Sequence, residues 1–115
     1  MRICLYVVVA CDDGFRAMAN PNRRELLRLV RDEAQPVGEL ADRLGVSQPA
    51  VSQHLAVLRD AGLVTVAPDG RRRLYRADAE AVAEMRSYFD EYWSDAVDRL
   101  AQHAERVAAR RAVAS

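Results

Sequence analysis

The sequence predicts a mainly α protein with one small β-hairpin, an α+β chain, and three observations carry that prediction. Two short apolar-periodic segments flank a Gly-containing turn, Gly45-Val46-Ser47. Two β-prone runs flank Pro68-Asp69-Gly70. A last segment, from Asp78 to about Arg111, contains neither Pro nor Gly and reads as one long helix. At 115 residues the chain is a single domain with little apolar surface to bury by itself, so self-association would help it. A composition 50% hydrophobic and 30% charged is that of a soluble globular protein. The chain divides into an apolar N-terminal extension (1–14), a compact domain (15–77) and a long C-terminal helix with a tail that frays from Ala108 (78–115).

Ile3 to Cys11 is a nearly uninterrupted apolar run, far short of the roughly 20 residues that span a bilayer. With Arg2 ahead of it and Val8-Val9-Ala10-Cys11 at its end it superficially resembles a lipoprotein signal, but the apolar core is at the short limit for one. The reading adopted is a strand or helix extension packing on a dimer, or a true start at one of the Val codons, and a cytoplasmic chain with no membrane partner. Phe15, Met18 and Ala19 suggest a short helix ending at Asn20-Pro21. Asn20 or Asn22 can cap the next helix, which turns Leu26, Leu27, Leu29 and Val30 inward. Its Arg23, Arg24, Arg28 and Arg31 face out, either to touch phosphate or simply to solvate that face.

Val37, Leu40, Ala41 and Leu44 then recur at i, i+3, i+4, i+7, giving one apolar face. Gly45 ends that helix because Gly tolerates the left-handed conformation. Ser47 is placed as an N-cap and Pro49 lies in the first turn, so a second helix begins at about Gln48 and stops at Gly62. It buries Val51, Leu55 and Leu58 and leaves Gln48, Ser52, Gln53 and Arg59 on other sides. Two helices joined by a tight turn, with amides and hydroxyls opening the second, form the helix-turn-helix pattern that enters the DNA major groove. Gln can pair with adenine edges in two places and Ser can serve several bases. An ordinary helical hairpin with a solvated face shows the same spacing.

Leu63 to Ala67 and Arg71 to Ala77 read as strands of a hairpin, joined by Pro68-Asp69-Gly70, where Pro presets φ and Gly supplies φ > 0. Arg71, Arg72 and Arg73 fall at its tip and return strand, within reach of the DNA backbone or minor groove. Neighbouring strand residues point to opposite faces, so one or two of the three make that contact. In the last helix Val82, Met85, Phe89, Tyr92, Ala96, Leu100, His103 or Ala104, and Val107 step by threes and fours, with Trp93 and Val97 widening the seam. A seam on a helix of about 50 Å calls for a partner, and the same helix of a second subunit is the natural one. The dimer contacts expected are Phe89, Tyr92, Trp93, Ala96, Leu100 and Val107.

Net charge is zero, but its distribution is not even. Residues 43–76 hold six Arg against Asp60 and Asp69, whereas residues 77–105 hold eight acids against Arg86 and Arg99. The basic part coincides with the helix-turn-helix and hairpin, as a nucleic-acid partner requires.

Val-Ser-Gln-Pro-Ala-Val-Ser-Gln-His-Leu (46–55), followed by Leu58-Arg59-Asp60-Ala61-Gly62-Leu63-Val64, resembles the ArsR-type (ArsR/SmtB) winged helix-turn-helix repressors of bacteria. Phe15 to Leu27 matches that family's opening, and the likeness runs over roughly residues 15–100. It implies a homodimeric, sequence-specific regulator of transcription, most simply a repressor, binding double-stranded DNA at an imperfect palindrome near its own promoter. Gln48, Ser52, Gln53 and His54 would touch bases, while Ser47, Arg59, Arg71, Arg72 and Arg73 would hold the backbone.

The alternative is a metal-responsive (nickel or zinc) or partner-dependent sensor of the same family. The family's cysteine site has no counterpart here, because Glu39-Leu40-Ala41-Asp42 contains no Cys. Its site along the last helix is compromised by Arg106, which stands where a ligand belongs three residues after His103. His103, with Asp95, Asp98 and Glu105 nearby, and Cys4 and Cys11 are the candidate ligands, each with a bland reading as a packed interface or buried side chain. Cys4 and Cys11 on one helical face would lie about 10 Å apart, too far for an intrachain disulfide. No cofactor is required. With no Gly-rich phosphate loop, Ser-His-Asp order or Cys-x-x-Cys, an enzyme is not expected.

Overall fold

The computed structural model describes residues 12–114, with side chains to residue 113. Cys4, Cys11 and the apolar run lie outside the described residues. The chain forms two compact units that meet between Met85 and Arg86.

In the first unit residues 12–17 form a helix, α1. It is followed by α2 (Pro21–Leu29), α3 (Val37–Leu44), α4 (Gln48–Asp60), β1 (Val64–Asp69), β2 (Arg72–Ala77) and the opening of α5 (Ala79–Ala114). Asn20 is the cap of α2: its Oδ1 accepts from the backbone N–H of Asn22 at 2.9 Å and of Arg23 at 3.3 Å, with Pro21 in the first turn. Arg23 and Arg24 neither reach outward nor await phosphate. Arg23 Nε donates to the Ala17 carbonyl at 2.5 Å and Arg24 Nη1 to the Met18 carbonyl at 2.8 Å, so the two guanidiniums satisfy carbonyls at the end of α1. Arg28 does face solvent, and its bond to Glu25 holds that carboxyl below the ordinary carboxylate range.

Leu26 and Val30 from α2, Leu40 from α3, and Val51, Leu55 and Leu58 from α4 are fully buried, and Leu63 and Val64 close the core from below the hairpin. Ala81, Val82 and Met85 pack against it. Gly45 takes φ 72° and donates its N–H to the Ala41 carbonyl, which turns the chain so that α4 crosses α3. The end of α4 is a Schellman closure. Gly62 (φ 78°) donates to the Arg59 carbonyl and Leu63 donates back to Leu58, both at 2.9 Å, which delivers Leu63 into the core.

The hairpin pairs Val64 with Ala77 through Asp69 with Arg72 in antiparallel register. This moves the turn. Pro68 and Asp69 belong to β1, and the reversal is the two-residue Gly70-Arg71, with positive φ at Gly70 alone, the sign pattern of a type II′ turn. Pro68 is tolerated because a two-stranded sheet leaves β1 an open edge, where a missing N–H breaks no ladder bond.

The second unit is the remainder of α5. The helix continues to Ala114, past the fraying expected from Ala108, since Ala is the best helix former and fills most of that tail. Phe89, Tyr92, Trp93, Val97 and Leu100 are 44–68% exposed, and the rings of Phe89 and Trp93 stack at 6.0 Å and 8°.

Candidate nucleic-acid interface

The exposed polar side of α4 is fixed by what its other side buries. With Val51, Leu55 and Leu58 turned inward, Ser52, Gln53 and Arg59 are exposed. Ser47 Oγ accepts from the Ala50 N–H at 3.3 Å, so the hydroxyl that opens the helix is engaged as its cap. Gln48 is exposed, and its Nε2 lies across Gly38 at the start of α3, 3.6 Å from where a Cβ would be. His54 is set apart from this group. It is half-buried and lies about 160° around the helix from Ser52 at roughly 3.6 residues per turn.

Between α3, α4 and the hairpin runs an open groove of roughly 580 Å³. Pro36, Val37 and Tyr75 give it apolar walls, Ser52 enters from α4, Glu39 and Asp42 from α3, and Arg72 and Arg73 from β2. Arg43, Arg59, Arg71, Arg72, Arg73 and Arg76 are all exposed, so the positive surplus of residues 43–76 is at the surface. Among the described residues of that set only Arg72 forms an ion pair, with Asp69 at 3.2 Å. Sequence reasoning missed Asp69, Tyr75 and the groove acids. Reading the turn as Gly70-Arg71 would have revealed Asp69, since it then becomes the cross-strand partner of Arg72.

The hairpin is tied down at its base. Gln35 and Tyr75 exchange backbone hydrogen bonds at 3.0 and 2.9 Å, the Ala77 N–H reaches the Val30 carbonyl at 3.0 Å, and Asp78 both donates to the Leu63 carbonyl at 2.8 Å and caps α5 through the Ala81 N–H. The arginines at its tip are therefore carried on a hairpin fixed to the ends of α2 and α4.

On α5, Phe89, Trp93, Ala96, Leu100 and Val107 fall within an arc of about 60°, with Tyr92 at its flank. His103 is exposed on the same helix. No three His, Cys, Asp or Glu side chains come together to hold a metal among the described residues. No helix among them is long and apolar enough to cross a membrane.

Two helices at a tight turn, an exposed polar start to the second and a basic hairpin beside it define a winged helix-turn-helix DNA-binding module. Residues 18–67 match a helix-turn-helix domain family. The HTH-type transcriptional regulator Rv2034 of Mycobacterium tuberculosis is 42% identical over 91 residues, covering 79% of this chain and 85% of that protein. The HTH-type transcriptional repressor SmtB of the same species is 43% identical over 70 residues, 61% of this chain and 52% of its own length. The solution structure of a homodimeric winged helix-turn-helix DNA-binding domain from Mycobacterium bovis, described as of the ArsR family, superposes with a TM-score of 0.62 at 26% identity, covering 79% of this chain and 82% of that one. The chain belongs to the ArsR-type (ArsR/SmtB) family of winged helix-turn-helix transcriptional regulators, and it is a DNA-binding regulator of transcription.

Proposed function

We propose that the protein is a homodimeric repressor, acting in the cytoplasm, that binds an imperfect palindrome near its own promoter without catalysing any reaction. The observation that carries this reading is the convergence of Ser52 on α4 and Arg72 and Arg73 on β2 around one open groove. Ser52 and Gln53 read base edges, with Gln48 entering beside them from the first turn and His54 at the flank. Arg59, Arg71, Arg72 and Arg73 hold phosphates, as does Ser47 at the start of α4, the class of contact that positions a protein without specifying sequence. The exposed seam of α5 joins two copies, which sets two recognition helices about one DNA turn, or roughly 10 bp, apart. The repressor SmtB and the homodimeric Mycobacterium bovis domain support the two parts of this assignment.

The test is fluorescence anisotropy of chelator-treated protein on its own upstream DNA and on a scrambled duplex, at two salt concentrations, with and without nickel or zinc. Preference for the upstream duplex, indifferent to metal, is the expected result. Equal affinity and equal salt slopes on both duplexes would overturn sequence-specific binding near the gene. A preference that appears or vanishes with metal would make the protein a metal-responsive regulator.

A further inference from the structure

Asp69 and Arg72 are the last cross-strand pair before the Gly70-Arg71 turn, and Arg72 Nη2 lies 3.2 Å from Asp69 Oδ2. Hairpin register, not a chance rotamer, brings them together: they stand directly opposite each other on strands joined by only two residues. A carboxylate is thereby fixed at the tip of the element that carries Arg71, Arg72 and Arg73. Both partners are more than half exposed, at 59% and 54%. Exposed pairs of this kind contribute little to folding, so the fold does not account for a negative charge at this place.

Resting on the reading that the hairpin arginines bind phosphate, we infer that Asp69 is an intramolecular competitor for that phosphate and sets the affinity of the protein for DNA through Arg72. In the free protein the Arg72 guanidinium is occupied by the Asp69 carboxylate. On DNA a phosphate oxygen must displace or share it, and the carboxylate then faces a like charge. The exchange is close to even, because a surface ion pair and a surface phosphate contact are of similar strength. Asp69 therefore lowers affinity for every sequence alike and leaves base preference untouched. It is a positioning residue, acting on where the Arg72 side chain points before DNA arrives.

The test measures binding of the full chain to upstream and scrambled duplexes across a salt series, with thermal melts to show that each variant folds. Asp69→Asn keeps a turn-compatible side chain and removes the charge. The expected result is about two- to fivefold tighter binding to both duplexes near 0.15 M salt, and a log–log salt slope steeper by up to about one. Asp69→Glu should stay near wild type. Glu33→Gln, the same change in net charge at an exposed site between α2 and α3, should give a clearly smaller gain. Unchanged or weaker binding by Asp69→Asn, while Arg72→Ala weakens binding, would overturn the competitor role and leave the phosphate reading standing. An equal gain from Glu33→Gln would overturn it too, by assigning the effect to net charge. Arg72→Ala binding as wild type would overturn the phosphate reading and this inference with it.

Discussion

The backbones of Gln35 and Tyr75 hydrogen-bond to each other in both directions, at 3.0 and 2.9 Å, although forty residues separate them in the chain. This bridge adds a third extended segment to the hairpin at the position just before α3. The Gln35 side chain, only 4% exposed, sends its Nε2 to the Leu29 carbonyl at 2.7 Å, and so links the base of the hairpin to the end of α2. Its Oε1 has no partner within the protein.

That arrangement predicts the behaviour of Gln35→Ala. The substitution leaves the Leu29 carbonyl without its side-chain donor, at a cost of about 1–3 kcal/mol. The backbone bridge to Tyr75 remains, so the hairpin should keep its register. Urea denaturation at fixed protein concentration gives the first quantity and hydrogen exchange at the Tyr75 amide the second. Full loss of Tyr75 protection would mean that the side chain, not the backbone, holds the hairpin in place.

Gln53 and Leu55 are two residues apart on α4 and should respond in opposite ways. Leu55 is fully buried, so Leu55→Ala costs about 2–5 kcal/mol of stability. Gln53 is exposed, so Gln53→Ala should leave stability within about 0.5 kcal/mol. Its cost appears on DNA instead, as about 1–3 kcal/mol of lost discrimination between upstream and scrambled duplexes. Parallel losses on both duplexes would remove Gln53 from base readout.

Gly45 and Gly38 make a second contrast. Gly45 has φ 72°, a conformation that L side chains reach only with strain, and Gly45→Ala should destabilise by about 1–2 kcal/mol even though nothing lies near the new methyl. Gly38 is inside α3 without a positive φ, and its new methyl would meet only Gln48 Nε2, at an ordinary 3.6 Å. Gly38→Ala should therefore stabilise, by up to about 1 kcal/mol. Thermal melts of the two variants at one protein concentration decide it, and a destabilised Gly38→Ala would mean that Gln48 requires the space.

These residues show what the sequence makes legible. Gly45, Ser47 and Gly62 each impose a local backbone state, so the turn, the start and the stop of α4 could be read in advance. Core positions of α3 and α4 followed from helical period for the same reason. Gln35, Arg23 and Arg24 could not be read that way. Each satisfies a carbonyl six or more residues away, or on another element, and no periodicity encodes such a partner. The hairpin turn was misplaced because Pro68 and Asp69 favour turns locally, and strand pairing overrode that preference. In the site, the exposed side of α4 was visible from what it buries, whereas Glu39, Asp42 and Tyr75 were not. They meet the arginines only once α3 and β2 are folded together.

Leu100 tests the proposed assembly without disturbing the single chain. It is 67% exposed, and in a monomer Leu100→Asp removes no packing. A buried carboxylate at the centre of a helix–helix seam would, in contrast, be strongly unfavourable in a dimer. Leu100→Asp should therefore sediment as a monomer at concentrations where the parent is dimeric, and its helical content by circular dichroism should fall little. DNA affinity should drop steeply on a palindrome, where two linked recognition helices act together, and much less on an isolated half-site. A variant that still sediments as a dimer would place the seam elsewhere. A monomer that binds the palindrome as tightly as the parent would show that recognition needs one copy only.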